Sequence, residues 1–446
     1  MVLHAAQRAG MRMTRLRTRS GGLRLPAHEA TTAQIGVAYP FAATAPLPVA
    51  RVLVGRDLAG GRFCHDPFDL YASGMLTNPN ITILGQIGRG KSALVKSYLY
   101  RQHLFGRRVA VLDPKGEYRP LAAALGTEPI RLSPRGGTRI NPLAPASEAS
   151  MSGEKAAPDE VRRQRLALLA TLAEATMHRR LLPTERLALE VALVVREGET
   201  GLGIADVVEE MLRPGAEAAR LAGSTVGTLT EDGRFVGLEL RRLVLGDLAG
   251  MFDGRDTPGS AAGQEALVVD LSDVYHAEAL PALMVCAAAW LQSMTAHASA
   301  RTLFVVDEAW AVLSDLAVAR YLRSSWKLAR ARGLANVAVC HRASDLANVG
   351  NEGSEAARLA EGLMADSETV ICYAQPASEL VNLAVLLGCS QSEIDYLPSL
   401  RRGVALWRVG GRRYLVEHLL SREELAFVDT DDRMRTAGAA APGQLR

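Results

Sequence analysis

The sequence predicts an α/β protein with a mostly parallel sheet, helices on both faces and an inserted all-helical segment. Two stretches, 80–112 and 266–373, alternate apolar β-branched runs with helix-like runs, the pattern of parallel strands joined by right-handed crossovers. Between them, roughly 150–250 carries apolar residues at helical spacing. The third observation is local. An apolar strand, Asn80-Ile81-Thr82-Ile83-Leu84, runs into Gly85-Gln86-Ile87-Gly88-Arg89-Gly90-Lys91-Ser92, and a helix-forming run continues from Ala93. Strand, glycine loop and helix in that order are the setting of a phosphate-cradling loop.

The elements follow in order. Residues 1–35 hold six arginines (Arg8, Arg12, Arg15, Arg17, Arg19, Arg24), no acid before Glu29 and no apolar core of a secretory signal. They read as a disordered basic tail, or as residues upstream of a later start at Met11 or Met13. An arm touching nucleic acid or anionic lipid is the other reading. Residues 36–75 read as a short β-rich segment, with a hairpin of 52–54 and 62–64 around Gly60-Gly61 and a turn at Asp66-Pro67. The core is expected over 76–150 and 255–428. Its first part holds strand 80–84, helix 91–104 and strand 108–112. Its second holds strand 266–271, helix 279–296, strand 302–306, helix 316–331 and strands 335–340, 368–373, 404–409 and 414–418. After a small-residue linker, 144–158, a helical insertion fills 151–254. Its helices are expected at 162–178, 185–195 (with Thr184 as N-cap), 203–212 and 237–245. Residues 429–446 read as a disordered tail.

At 446 residues the chain can bury two or three cores of ordinary size. A hydrophobic fraction of 48 % with 22 % charged residues is that of a globular protein, and a net charge of +3 carries no chain-wide nucleic-acid signature. The five cysteines (Cys64, Cys286, Cys340, Cys372, Cys389) show no metal-ligand spacing and read as small core residues in a reduced, cytoplasmic compartment. Residues 279–300 lack Asp, Glu, Lys and Arg, but Pro281 and the polar residues from Gln292 leave too few apolar positions. A span needs about 20, so a buried crossover helix is expected and no integral membrane span.

In the loop, glycines let backbone N–H groups curl around phosphates, and the helix N-terminus adds partial positive charge. Gly85, Gln86, Ile87, Gly88, Arg89, Gly90, Lys91, Ser92 and Ala93 are therefore the expected nucleotide-binding residues. Lys91 reaches the β/γ-phosphates, and the Ser92 hydroxyl is placed to bind Mg²⁺. The chain has five lysines against 46 arginines, so a lysine here is not casual. Strand 302–306 ends in Asp307-Glu308. Asp307 would hold the Mg²⁺ shell, partly through water, and Glu308 would orient and deprotonate the attacking water. Acids at a strand end are also common caps of the next helix. Strand 108–112 ends in Asp113-Pro114-Lys115-Gly116-Glu117, so Asp113, Lys115 and Glu117 could approach the γ-phosphate and water. Read alone, Asp-Pro-Lys-Gly is also an ordinary turn. The sequence has no Asn/Thr-Lys-x-Asp guanine-reading motif, so ATP is expected over GTP.

These residues together resemble the ATPases of conjugative transfer and type IV secretion (TraC/VirB-type), in the FtsK/HerA branch of P-loop motors. The shared marks are Gly85–Ser92, Asp113–Glu117, Ile140-Asn141-Pro142-Leu143, Gly250-Met251-Phe252-Asp253-Gly254 and Asp307-Glu308-Ala309-Trp310, spread over about 70 to 420. The resemblance implies a RecA/FtsK-like P-loop NTPase fold and Mg²⁺-dependent ATP hydrolysis. It also implies a homo-hexameric ring, cytoplasmic or peripheral at the inner face of the membrane. Membrane-embedded channel components would be its partners, with DNA as a further candidate. That branch usually has Gln, sensing the γ-phosphate, at the end of the strand after Asp-Glu. Here His341 stands there, a group that can donate a hydrogen bond but titrates near neutrality, or that simply caps the strand. The resemblance further implies an arginine from one subunit completing the neighbour's site. Arg330 and Arg332, before Gly333, lie where the family places it, with Arg323 and Arg402 as other candidates. Most arginines on such a helix are merely solvated.

Three functions compete: an ATPase energising a transfer or secretion machine, a pump or coupling protein acting directly on DNA, and a nucleotide-dependent assembly scaffold. Glu308 argues against the last.

Overall fold

The computed structural model describes residues 47, 51–59, 61–144, 157–246, 248–257, 264–295, 301–313, 315–328, 330–341, 355–380, 383–384 and 388–428. The expected tails 1–35 and 429–446, residues 36–46 and most of the linker 144–158 lie outside the described residues.

The strands are β1 (Leu53–Asp57), β2 (Arg62–Cys64), β3 (Ile81–Leu84), β4 (Arg108–Asp113), β5 (Ile130–Arg131), β6 (Ala266–Asp270), β7 (Thr302–Val306), β8 (Leu334–Cys340), β9 (Thr369–Cys372), β10 (Val404–Val409) and β11 (Arg412–His418). They form one sheet in the order β2-β1-β11-β10-β9-β3-β8-β7-β4-β6-β5. From β9 to β5 every pair is parallel. The other four pairings are antiparallel, so the hairpin β1–β2 extends the sheet through β11. Strands β3, β6 and β7 are buried at every position, as parallel strands covered on both faces must be.

Successive side chains go to opposite faces. On one face Val111, Val305 and Val339 pack with Leu94, Val95 and Leu99 of the loop helix Lys91–Leu104. On the other, Leu112, Val269 and Phe304 join helix Leu280–Thr295 and the helical segment, through Leu169, Leu189 and Leu240, in one continuous core. Helix Leu280–Thr295 is buried almost all round, as a crossover helix should be. Among the described residues no helix is long and apolar enough to cross a membrane.

Between β5 and β6 lie helices Pro158–Met177, Pro183–Arg196, Ile204–Leu212, Ala216–Leu221 and Val226–Leu245. The last starts at Val226, capped by Thr225, rather than at Gly237. Gly227, Gly233 and Gly237 depress its local propensity, but packing overrides them. A Cβ at Gly233 would lie 3.2 Å from the Met211 carbonyl, and one at Gly237 3.0 Å from Leu212, so these positions are where the neighbouring helix approaches. Two further expectations are corrected. Thr184 is not an N-cap: Pro183 takes the first helical position, and the Glu185 carboxylate accepts from the Leu182 amide at 2.8 Å. Asp66-Pro67 is a helix start rather than a free turn, with Asp66 accepting from Phe68 N at 2.9 Å.

Candidate functional site

The order β3-β8-β7-β4 lines up the carboxyl ends of four strands that are far apart in sequence. Their exits are Gly85, His341, Asp307-Glu308 and Asp113. Parallel sheets bind ligands outside such ends.

Beyond β3 the chain stays tied to its neighbours: Gly85 N donates to His341 O at 3.2 Å and Gln86 N to Ala374 O at 3.3 Å. A side chain at Gly85 would put its Cβ 2.5 Å from the Cβ of Tyr373, so this glycine answers a close approach. Gly88, at φ +79°, makes the left-handed turn of the loop. Ile87 and Gly88 are exposed. The helix opens Lys91-Ser92-Ala93, with no acid in its first turn and no side-chain cap, which leaves its first amides open to an anion. The Lys91 ammonium is buried and donates to the carbonyls of Gly85 and Gln86. Burial lowers its pKa to about 8 against the pull of the nearby Asp307 and Glu308.

Asp307 leaves β7 with its amide on Leu112 O at 3.2 Å and its carboxylate on the Glu308 amide at 2.9 Å. Burial, then the charge of Glu308, pushes it up to about 6. Glu308 stands at φ +52°, a left-handed conformation uncommon for a side-chain-bearing residue and strained. Its carboxylate accepts from Lys115 Nζ at 2.5 Å, from His341 Nε2 at 2.8 and 3.0 Å, and from the Trp310 indole. Burial alone would raise its pKa, but the donors His341, Lys115 and Trp310 outweigh it and hold it at about 2.

Asp113 departs from expectation. Its carboxylate is fully buried and already accepts four amides: Lys115 N, Gly116 N and Glu117 N at 3.2, 2.9 and 3.1 Å, and Tyr118 N at 2.8 Å. These contacts fasten the loop Lys115–Tyr118 to the end of β4. Burial still prevails over those amides and lifts the Asp113 pKa to about 7. Lys115 is the member of this loop that reaches the site. Glu117 is half-buried, close enough for its charge to act on Asp307 and Lys115.

Arg330 and Arg332 form a short turn before β8, at its amino-terminal end, away from the subunit's own loop. Arg332 is half-buried beside Tyr321, and the side chain of Arg330 lies outside the described residues. Arg323 lies 4.0 Å from Asp366. Arg402 instead lines the subunit's own cleft. That cleft, of about 720 Å³, is bordered by Gln86, Ile87, Gly88, Arg89, Trp310, His341 and Arg402. The Arg402 segment is tied to the loop, with Gly403 N on Arg89 O at 3.0 Å. Sequence reasoning gave no role to Trp310 or to the buried Gln375, whose Nε2 donates to His341 O at 3.3 Å. Gln375 follows the carboxyl end of β9, and that position was the available signal.

No family model matches the chain, and no curated protein matches it. Solved structures do. VirB4 of Thermoanaerobacter pseudethanolicus superimposes with a TM-score of 0.67 at 23 % identity, over 85 % of this chain and 99 % of that one. The bacterial conjugative coupling protein TrwBdeltaN70, unbound, gives 0.53 at 16 % identity over 77 % and 85 %. The plasmid coupling protein TrwB in complex with ADP and Mg²⁺ gives 0.52 at 16 % over 77 % and 86 %. The mixed, mostly parallel sheet and its glycine loop are thus the P-loop NTPase fold that this chain shares with VirB4 and TrwB.

Proposed function

We propose that the chain is a Mg²⁺-dependent ATPase that energises a conjugative DNA-transfer or type IV secretion apparatus. The observation that carries this reading is the convergence of the glycine loop, His341 and Asp307-Glu308 at the ends of β3, β8 and β7. Likeness to VirB4 over nearly all of that chain supports the kind of machine, and the ADP–Mg²⁺ complex of TrwB supports the ligands. Residues 76–150 and 255–428 would be the catalytic core and 151–254 its insertion. A DNA pump or coupling protein is the second reading, favoured by the likeness to the coupling protein TrwB.

The residues fit Mg²⁺, a hard cation held through one or two carboxylates, waters and phosphates rather than by a protein cage. Among the described residues no group of three His, Cys, Asp or Glu could enclose a metal, while Asp307 is a buried carboxylate crowded by a second one. The Ser92 hydroxyl stands in the first turn of the loop helix. When bound, Mg²⁺ neutralises charge developing on the phosphate oxygens. The chain's own residues do the rest. Lys91 exchanges the Gly85 and Gln86 carbonyls for phosphate oxygens, the open amides at the start of the loop helix join it, Glu308 orients the attacking water, and His341 holds Glu308 at the border of the cleft.

A homo-hexameric ring with an arginine acting across the interface is part of this reading. Arg332 precedes the seven-residue β8. At the rise of a strand, β8 alone spans about 23 Å, which sets Arg332 too far from the subunit's own His341 to serve its own phosphate. The test is the ATPase rate of size-fractionated protein, with and without DNA and Mg²⁺. Turnover that requires Mg²⁺ and ignores DNA supports the first reading, DNA-stimulated turnover the second. Nucleotide binding without turnover would sink both.

A further inference from the structure

Three donors close on the Glu308 carboxylate, the single His341 Nε2–H being shared between its two oxygens, and the side chain is only 4 % exposed. Oε1 takes Lys115 and His341, and Oε2 takes Trp310 and His341. With the carboxylate buried behind these three donors, room for a water at Oε1 opens when one of them moves away. His341 continues β8, and its carbonyl is held by Gly85 N and Gln375. Trp310 carries no charge that a ligand could attract. Lys115 differs on both counts: its side chain is 29 % exposed, flexible and cationic. It sits on a loop pinned by Asp113, so the side chain can swing while its backbone stays. Its charge also acts on Lys91, so one anion can draw on both lysines.

We propose that Lys115 is a positioning residue: it latches Glu308 in the absence of a γ-phosphate and leaves it for that phosphate, freeing Oε1 for the attacking water. The exchange replaces one charge-assisted bond by another, so it needs a triphosphate and not a diphosphate. Trp310 reports the event, because its indole is bonded to the carboxylate that is released. Of the chain's four tryptophans, Trp290, Trp326 and Trp407 are buried, and Trp310 borders the cleft. This inference rests on the nucleotide-site reading above.

The test uses the full chain with Mg²⁺ and either ADP or the β,γ-imido analogue of ATP, each at saturation established by calorimetry. Tryptophan emission should shift with the triphosphate analogue and not with ADP. Trp310→Phe should lose the shift while still binding both nucleotides. Lys115→Met should also bind both but lose the difference between them, with kcat falling more than KM rises, and Lys115→Arg should restore part of each. Equal emission with both nucleotides, or a triphosphate-specific shift that survives in Lys115→Met, would overturn the latch and leave the site reading intact. Failure of either nucleotide to bind the wild type would remove the site reading and the latch with it.

Discussion

If Asp113 fastens a loop rather than touching water, Asp113→Ala and Asp113→Asn should differ in stability before they differ in chemistry. The alanine strands four amides, of which Tyr118 N is fully buried and the other three are half-buried. At about 1–3 kcal/mol for a buried unsatisfied group, with water rescuing part of the outer three, Asp113→Ala should lose about 3–5 kcal/mol. Asparagine can keep Oδ1 and its three amides but turns an N–H group on Tyr118 N, so only one contact is lost. Asp113→Asn should therefore lose about 1–3 kcal/mol. Urea midpoints at unchanged m-value read both numbers. Single-turnover hydrolysis at saturating ATP reads the chemistry. The loop carries Lys115, so Asn should lower the rate only modestly and Ala more, in the order of their stabilities. An asparagine variant as stable as wild type, yet slower by about 1,000-fold, would place Asp113 on the reacting water and refute the anchor.

Three further outcomes are expected. Lys91→Ala should abolish hydrolysis and weaken nucleotide binding, whereas Glu308→Gln should keep nucleotide bound and unhydrolysed; equilibrium binding beside turnover separates them, and loss of both in Glu308→Gln would make that residue structural. Activity per subunit should rise with protein concentration as rings form, and an Arg330→Ala, Arg332→Ala double variant should bind ATP but lose that rise; sedimentation alongside a dilution series with flat specific activity and only monomer would exclude it. The third concerns His65, buried between Tyr98 and Thr369 with its pKa lowered by burial to about 3. From its unfolded value near 6.5 down to 3 only the unfolded chain takes the proton, so this residue's contribution falls with falling pH by about 1.4 kcal/mol per unit. Asp113 and Asp307, raised to about 7 and about 6, act in the opposite direction and flatten the wild-type profile. The stability difference between wild type and His65→Gln isolates the histidine; a difference independent of pH from 7 to 5 contradicts the assignment.

Much of the molecule was legible one segment at a time. The run Asn80–Ser92 has β-branched residues, glycines and a helix start whose meaning is set by neighbours a few residues away, and the strand and helix appear at 81–84 and 91–104. The same holds for 302–306 and its Asp-Glu, because alternation and turn chemistry are local properties. Legibility ended where local propensity and packing conflict. The segment 226–236 carries two glycines and few apolar residues, so its local pattern does not specify a helix; its contacts with Ala188 and Met211 make it one. The two-residue β5 has too little sequence to show a period and exists through its pairing with β6.

The order of strands was beyond the sequence altogether. Alternation of strand and helix implies parallel neighbours but not which ones, because any two buried apolar strands offer equivalent hydrogen-bonding edges. Only the folded sheet inserts β8 and β7 between β3 and β4, and with that order come the partners of each functional side chain. The residue types Asp, Lys, Glu and His, and the loop that cradles a phosphate, were determined by the sequence itself. That Lys115 and His341 close on Glu308 was decided by tertiary structure, whereas the amides that Asp113 holds lie two to five residues on and Trp310 lies two residues beyond Glu308. The reason is physical: hydrogen-bond partners more than thirty residues apart are chosen by strand order and by the left-handed turn at Glu308, neither of which any local run of residues encodes.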